Sequence, residues 1–403
     1  MCAAETSAEK IWLVGGGLPE PWTYADLVAA IRRKRPEDDG SPSCVADALI
    51  RLTSALHWQQ RVALRDVTFA GEGQLKAERI QANAPDFVLD EAISGLMRGR
   101  AVEVDLLTSG TTGRPKMVTH TLGSLSRAVA IGPRHRDDVW GFAFNPTHIA
   151  GVQVYLQALA NGNTLVNIWG IEAGEMVERC RRWGVTHLSA TPTFYRLLLA
   201  SEFSLPAVQS LSIGGEAAET GLLVRLRARF PGARIHNIYA STEAGTLLMS
   251  DGETFRLPED GSVRIDDGRL WIQRGALGRF DSSAEWYDTG DAVEIVATDP
   301  VRFRIAGRER CEINVGGEKV NPQEVEAVLS AHAGVAAVRV FGRKNSVTGE
   351  ILAADVMRSR VAVTEAELRA FAAGRLPPLK VPRIICFVEK LELTRTGKMK
   401  RDA

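Results

Sequence analysis

From Val104 onward, short β-branched runs alternate with segments of helical spacing. "VDLLT" is followed by "TLGSLSRAVA", "VWGFAF" by "IAGVQVYLQALA", "TLVNIW" by "EMVERCRRW", "THLSA" by "TFYRLLLASE" and "VQSLSI" by "TGLLVRLRARF", and the series ends on "RIHNIYA". Strand alternating with helix predicts βαβ units and a mostly parallel sheet, an α/β fold whose ligands meet loops at the carboxyl ends of strands. After about Gly245 the pattern changes to paired strands, "SVRIDD" with "GRLWIQRG" and "AVEIVAT" with "VRFRIAG", which predicts a small antiparallel, β-barrel-like subdomain. A third style begins at Arg308. There "NPQEVEAVLSAH" places Asn321 as N-cap, Pro322 at the first helical position and Glu324 three residues after the cap. With "AAVRVFGR", "ILAADVMR", "TEAELRAFAAG" and "RIICFVEKL" it predicts a compact carboxyl-terminal α+β module.

Composition narrows the function classes. The 403 residues suit two or three domains, and 45% apolar with 24% charged residues is a soluble globular balance. Lys plus Arg and Asp plus Glu both number 49, so bulk charge supports neither a nucleic-acid nor a membrane-surface role. The five cysteines are scattered without a Cys-x-x-Cys pair, which argues against a disulfide framework or zinc knuckle and for a reducing cytoplasm. No basic leader and no run of roughly 18 apolar residues appears, so neither secretion nor a membrane span is expected.

Candidate chemistry concentrates first in "LLTSGTTGRPK", Leu106 to Lys116. Gly110 and Gly113 allow close backbone approach and positive φ, successive N–H groups can form an anion nest, and Thr108, Ser109, Thr111 and Thr112 add hydroxyls beside the charge of Lys116. These features suit a polyphosphate; a Ser/Thr/Gly-rich surface turn is the alternative. The loop is not a Walker A motif, and "TRTGKMKR" is not one either, because Met399 follows Lys398.

Eight stretches in order extend the picture: "TYADL", "TSGTTGRPK", "FNPTHIAG", "GGEA", "NIYASTEAG", "YDTGD", "IAGRERCEINVGGEKVNPQEVE" and "LTRTGKMKR". Together they resemble the adenylate-forming acyl-CoA synthetases, whose relatives include luciferases and peptide-synthetase adenylation domains. The look is nearest to short o-succinylbenzoate-CoA ligases. The resemblance covers nearly the whole chain. It implies a large amino-terminal adenylation domain, 1–308, and a small mobile carboxyl-terminal domain, 309–403. It also implies a two-step reaction: carboxylate and ATP give acyl-AMP and pyrophosphate, and a thiol then displaces AMP.

Carried onto matching positions, the resemblance implies an ATP/AMP site built from the Thr108–Lys116 loop, Gly215, Glu216, Asn237, Tyr239, Ala240, Ser241, Thr242, Asp291, Arg308 and Lys398. Within it, Tyr239 offers a face to adenine, Asn237 an amide to its edge, Thr242 a hydroxyl to the α-phosphate and Glu243 a hard carboxylate to Mg²⁺. Asp291 and Arg308 meet the ribose. Lys398 stabilises charge developing at the α-phosphorus, which with Thr242 and Glu243 makes the catalytic set. His148, Gly151 and Gly214 are expected at the acyl pocket, with His148 at its mouth or, alternatively, an interior histidine capping the helix near Ile149. Gly316 and Gly317 are expected to line a thiol tunnel and Arg310 to be the hinge of the mobile domain.

Departures from the family pattern carry information too. The stretch between "TYADL" and the phosphate loop is short, so an amino-terminal subdomain is abridged. Ile149 follows His148 where amino-acid-activating relatives carry Asp, which disfavours an α-amino acid, and the likeness to o-succinylbenzoate-CoA ligases implies an aryl or otherwise compact acid. Three functions stay open: a coenzyme A ligase, an adenylating enzyme loading a carrier protein's phosphopantetheine or another nucleophile, and a non-catalytic nucleotide-binding relative.

Overall fold

The computed structural model describes residues 9–33, 42–64, 93–94, 97, 101–108, 116–200, 203–281, 284–308, 312–316, 318–345, 349–359, 361–394 and 399. The chain opens with two short strands, Ile11–Val14 (β1) and Trp22–Thr23 (β2), then the helices Tyr24–Arg33 (α1) and Val45–Trp58 (α2). Strands Val62–Leu64 (β3), Glu103–Thr108 (β4) and Lys116–Thr121 (β5) follow, with a single helical turn Leu122–Leu125 (α3). The predicted alternation then appears: Val139–Phe142 (β6), Ile149–Ala160 (α4), Thr164–Asn167 (β7), Ala173–Arg182 (α5), His187–Ala190 (β8), Pro192–Leu199 (α6), Ser210–Gly214 (β9), Thr220–Arg229 (α7) and Arg234–Ser241 (β10). Strand Gly245–Ser250 (β11) turns back antiparallel.

These strands form an eight-stranded sheet in the order β11-β10-β9-β8-β6-β7-β1-β2, parallel inside and antiparallel at both edges. One core cluster packs α1, α2 and α4 around Trp12, Tyr24, Leu49 and Tyr155, and another packs α5 to α7 around Val166, Leu188, Tyr195 and Leu226. Buried apolar faces on both sides explain the near-continuous hydrophobic character of the central strands.

The first predicted unit is corrected. "VDLLT" does not join the large sheet: β4 pairs with β3 and β5 in a separate three-stranded sheet. The segment read as the helix "TLGSLSRAVA" keeps only α3, which begins at a capping box between Thr121 and Ser124. The reason lies in "KMVTHT", whose period-two pattern buries Val118 and His120 on one face and so makes a strand before any helix can start. Because Thr108 pairs with Lys116, the polyphosphate-loop candidate spans the two ends of an antiparallel hairpin.

Beyond the large sheet, Phe255–Arg256 (β12), Val263–Asp266 (β13), Arg269–Gln273 (β14), Trp286–Thr298 (β15) and Val301–Arg308 (β16) form the expected antiparallel sheet, in the order β12-β16-β15-β14-β13. Its core includes Phe255, Leu270, Ile272 and Phe303, and it also takes in Tyr239, Ala244 and Leu248 from the β10–β11 region. Ile313–Val315 (β17), Glu318–Val320 (β18), Pro322–Ser330 (α8), Val335–Asn345 (β19), Gly349–Arg358 (β20), Glu365–Ala373 (α9) and Ile384–Phe387 (β21) form the last sheet and its helices, with a core of its own. Asn321 caps α8 by accepting the Gln323 N–H at 2.9 Å, while Glu324 pairs with Lys380 at 2.7 Å. The same Asn321 donates to the Ala306 carbonyl at 2.7 Å, tying the end of β16 to the start of α8. No helix among the described residues is long and apolar enough to cross a membrane.

Candidate active site

Strand β10 organises the site. It runs parallel to β9 and turns into β11 through Thr242–Ala244, a turn closed by the Ala244 N–H donating to Ser241 Oγ at 3.2 Å. From α4, Gln153 Oε1 accepts the N–H and hydroxyl of Thr246 at 3.1 and 3.0 Å, fixing where β11 begins. Three further groups reach the turn from separate parts of the chain. His120 Nε2 donates to the Thr242 carbonyl at 2.7 Å, the Gly278 N–H donates to the Glu243 carbonyl at 2.7 Å, and the Tyr287 hydroxyl donates to Glu243 Oε1 at 3.3 Å.

Earlier on β10, the buried Tyr239 donates its hydroxyl to Asp291 Oδ2 at 2.6 Å. Asp291 is itself 4% exposed and stands opposite Arg308 in the β15–β16 register. Thus Tyr239, Thr242, Glu243, Asp291 and the backbone of Arg308 converge where β10 leaves the large sheet. That is the carboxyl end of its parallel strands, where open α/β sheets bind ligands.

The other expected residues distribute around this centre. Gly215 follows β9 with φ +87°, a conformation that favours glycine. Glu216 accepts the N–H and hydroxyl of Thr193 at 3.1 and 2.7 Å, so its carboxylate stabilises the first turn of α6. Ala240 lies at a register shift in the β10–β11 pairing. Lys116 begins β5 and is exposed. Gly316, with φ +62°, makes the turn between β17 and β18 and faces open space.

Four more of the expected residues have structural contacts of their own. Asn237 is buried and its amide donates to the Gly252 carbonyl at 3.1 Å, so it braces the β11–β12 loop. A Cβ at Gly151 would lie 2.2 Å from the Asn145 carbonyl oxygen, so glycine here lets α4 press on the loop before it. A Cβ at Gly214 would come 3.2 Å from the Ile238 carbonyl oxygen, a tight approach between β9 and β10. His148 occupies the N-cap position of α4, but its imidazole makes no capping bond; its carbonyl accepts the Val152 N–H at 2.9 Å. Ser109, Gly110, Thr111, Thr112, Gly113, Arg310, Gly317 and Lys398 lie outside the described residues.

Sequence reasoning passed over His120, Gly278, Tyr287 and Gln153. His120 carried one signal: it shares the buried face of β5 with Val118, directly after the polyphosphate-loop candidate. Tyr287 opens the quoted "YDTGD" stretch, while Gly278 and Gln153 act across long sequence distances.

Burial and nearby cations press several imidazoles toward the neutral form. Burial, then Arg127, lowers the pKa of His120, against the Thr242 carbonyl and Glu243. At the amino ends of the parallel strands, burial, then His135, Arg234 and His236, lowers that of His187, against Asp138. Burial and Arg234 lower that of His236. Each folded-state pKa lies below the unfolded value of about 6.5. The unfolded chain therefore binds more protons as pH falls through that value, and the histidine contribution, fully present above it, is lost below it. The melting temperature should drop between pH 7.5 and 5.5, by roughly 1 °C per kcal/mol lost; a scanning-calorimetry series with a flat or rising trend would contradict this.

Comparison with known proteins follows the same division of the chain. Residues 97–266 match the family model described as AMP-binding enzyme, and residues 324–398 match that described as AMP-binding enzyme C-terminal domain. The chain is 28% identical over 332 residues to the 2-succinylbenzoate–CoA ligase of Bacillus pumilus (strain SAFR-032), covering 73% of this chain and 67% of that protein. It is 31% identical over 346 residues to the phenyloxazoline synthase MbtB of Mycobacterium sp. (strain MCS), covering 74% of this chain but 29% of that much longer protein. Among solved structures, the o-succinylbenzoate CoA synthetase (MenE) of Bacillus subtilis, in complex with the acyl-adenylate intermediate OSB-AMP, superposes with a TM-score of 0.64 at 19% identity, covering 97% of this chain and 94% of that one.

Proposed function

Because the chain belongs to the family of AMP-binding enzymes, we propose that it activates a small carboxylic acid with ATP and passes the acyl group to coenzyme A. It is an AMP-forming acid–thiol ligase. In the first step a carboxylate oxygen attacks the α-phosphorus and pyrophosphate leaves. In the second a thiol sulfur attacks the acyl carbonyl, AMP leaves with the bonding pair, and the thiol proton passes to solvent. Such transfers need positioned charge more than a protein nucleophile.

The observation that supports this reading best is the convergence at β10, where Tyr239 is bonded to Asp291 and the Thr242–Glu243 turn is held from three sides. In our reading Tyr239 flanks the adenine, Asp291 and Arg308 bind the ribose, Thr242 meets the α-phosphate and Lys398 neutralises charge at phosphorus. Glu243 is a single oriented carboxylate, and among the described residues no group of three or more His, Cys, Asp or Glu could hold a metal. That donor set fits Mg²⁺, which keeps several waters and takes its remaining ligands from the nucleotide's phosphates. When bound, Mg²⁺ would neutralise phosphate charge.

For the acid, a compact aryl carboxylate is favoured, in line with relatives named for 2-succinylbenzoate. A reducing cytoplasm is the proposed setting. A second reading, transfer to the phosphopantetheine of a carrier protein, draws on the likeness to MbtB. A pyrophosphate-release screen over a carboxylic-acid library separates them. Run with coenzyme A, with a phosphopantetheinylated carrier protein and with neither, followed by mass spectrometry, it should yield acid-dependent pyrophosphate and an acyl-CoA thioester. Acyl-carrier product alone would favour the second reading, and no acid-dependent release would sink both.

A further inference from the structure

The turn carrying Thr242 and Glu243 is closed by one bond of its own, Ala244 N–H to Ser241 Oγ, and β5 adds another. His120 is 1% exposed, with Nδ1 3.2 Å from Ser124 Oγ and Nε2 2.7 Å from the Thr242 carbonyl oxygen. A carbonyl can only accept, so Nε2 carries the proton in this bond. Ser124 Oγ accepts the Thr121 N–H at 3.2 Å, and its one hydroxyl proton lies between the Thr121 carbonyl at 2.9 Å and the accepting Nδ1 of His120 at 3.2 Å. The imidazole therefore has a fixed base on α3 and a fixed target on the turn.

A second, independent feature is shaped around the same ring. A Cβ at Gly278 would lie 2.7 Å from Val118 Cγ1, 2.8 Å from His120 Cε1 and 2.9 Å from its Nε2, closer than real Cβ atoms approach. Only glycine lets the chain cross over the imidazole here, and in crossing it donates its N–H to the Glu243 carbonyl at 2.7 Å. Next to it, the Thr119–Arg279 bridge is made by two backbone bonds of 2.8 and 2.7 Å, which lock this crossing to β5. Two successive carbonyls of the turn, those of Thr242 and Glu243, are thereby held by His120 and Gly278 from one packed unit.

We infer that His120 is a positioning residue for adenylation: with Gly278 it clamps the Thr242–Glu243 turn to β5, so that Thr242 and Glu243 keep one geometry. The inference rests on the proposed roles of Thr242 and Glu243. His120 touches no reacting atom; it acts through the turn. Hydrogen bonds of this supporting kind are typically worth ten- to a hundredfold in activity when removed.

The test compares His120→Leu, which fills the space but cannot donate, with His120→Gln, whose amide nitrogen can stand where Nε2 stands, and with Gly278→Ala, which forces the ring aside. In ATP–pyrophosphate exchange with a supporting acid, His120→Leu should lower kcat on the order of ten- to a hundredfold with the KM for the acid nearly unchanged. Amide hydrogen exchange should show lost protection at 242–246 in His120→Leu and Gly278→Ala, and recovery of both readouts in His120→Gln. The clamp is overturned if His120→Leu keeps parental protection at the turn, or if His120→Gln is as damaged as His120→Leu. Should the parent exchange pyrophosphate with no acid, the functional reading fails by itself and the protection data alone decide the clamp.

Discussion

Lys398→Ala should lose acyl-AMP formation by several hundredfold while retaining thioester formation from supplied acyl-AMP. Only the first step builds charge at a pentavalent phosphorus, and an ammonium placed against that charge contributes where a solvated one would not. A transition-state contact of this type is worth roughly 3–4 kcal/mol. Pyrophosphate exchange reports the first half-reaction, and acyl-CoA formation from synthetic acyl-AMP reports the second. Equal losses in both, or none in the first, would remove Lys398 from its proposed role.

Asp291→Ala is expected to raise the Kd for AMP about ten- to a hundredfold, in keeping with the 1.5–3 kcal/mol typical of hydrogen bonds to a charged group. It should also lower stability, because the buried Tyr239 hydroxyl loses its acceptor at 2.6 Å. Tyr239→Phe removes the same bond from the other side but keeps the ring that packs edge-on against Phe255, centroids 6.4 Å apart. It should therefore cost stability with a smaller loss of AMP affinity. If the double variant is no less stable than Asp291→Ala alone, the bond accounts for the tyrosine's contribution. Calorimetric titration with AMP, set beside thermal melts, separates the two effects, and unchanged AMP affinity in Asp291→Ala would refute the ribose assignment.

Much of the fold was legible because periodicity was clean. The helices at Ile149–Ala160 and Thr220–Arg229 coincide with the apolar spacing that predicted them, bounded by Asn161 and Gly162 in one case and by Phe230 and Pro231 in the other. The edges were not legible. Ile11–Val14 is four residues long, runs into a glycine-rich turn and pairs in parallel with β7 some 150 residues away, a pairing with no local trace. The β4–β5 hairpin was misread because "TLGSL" looks helical once the alternation of "KMVTHT" is ignored.

The candidate site divides along the same line. Tyr239, Glu243 and Asp291 could be named as candidates because each sits in a motif of adjacent residues. The contacts that arrange them could not. His120 and Gly278 are far apart in sequence, and only the folded chain shows that a glycine is needed at 278 to clear an imidazole. Gly151 shows the same limit: its motif does not reveal that α4 presses onto the Asn145 carbonyl at this residue.

The Tyr239–Asp291 bond has a thermodynamic consequence of its own. Tyr239 belongs to the eight-stranded sheet and Asp291 to the five-stranded one, and these sheets share no strand. They share a hydrophobic cluster and this one buried hydroxyl–carboxylate pair. A nucleotide resting on both residues would be bound only while both sheets are folded and docked. Its binding free energy then adds to their cohesion through mass action, by about 2.7 kcal/mol when free ligand exceeds the Kd a hundredfold. Sub-global opening of either sheet would release the nucleotide, so substrate supply itself becomes a determinant of how long the two sheets stay together.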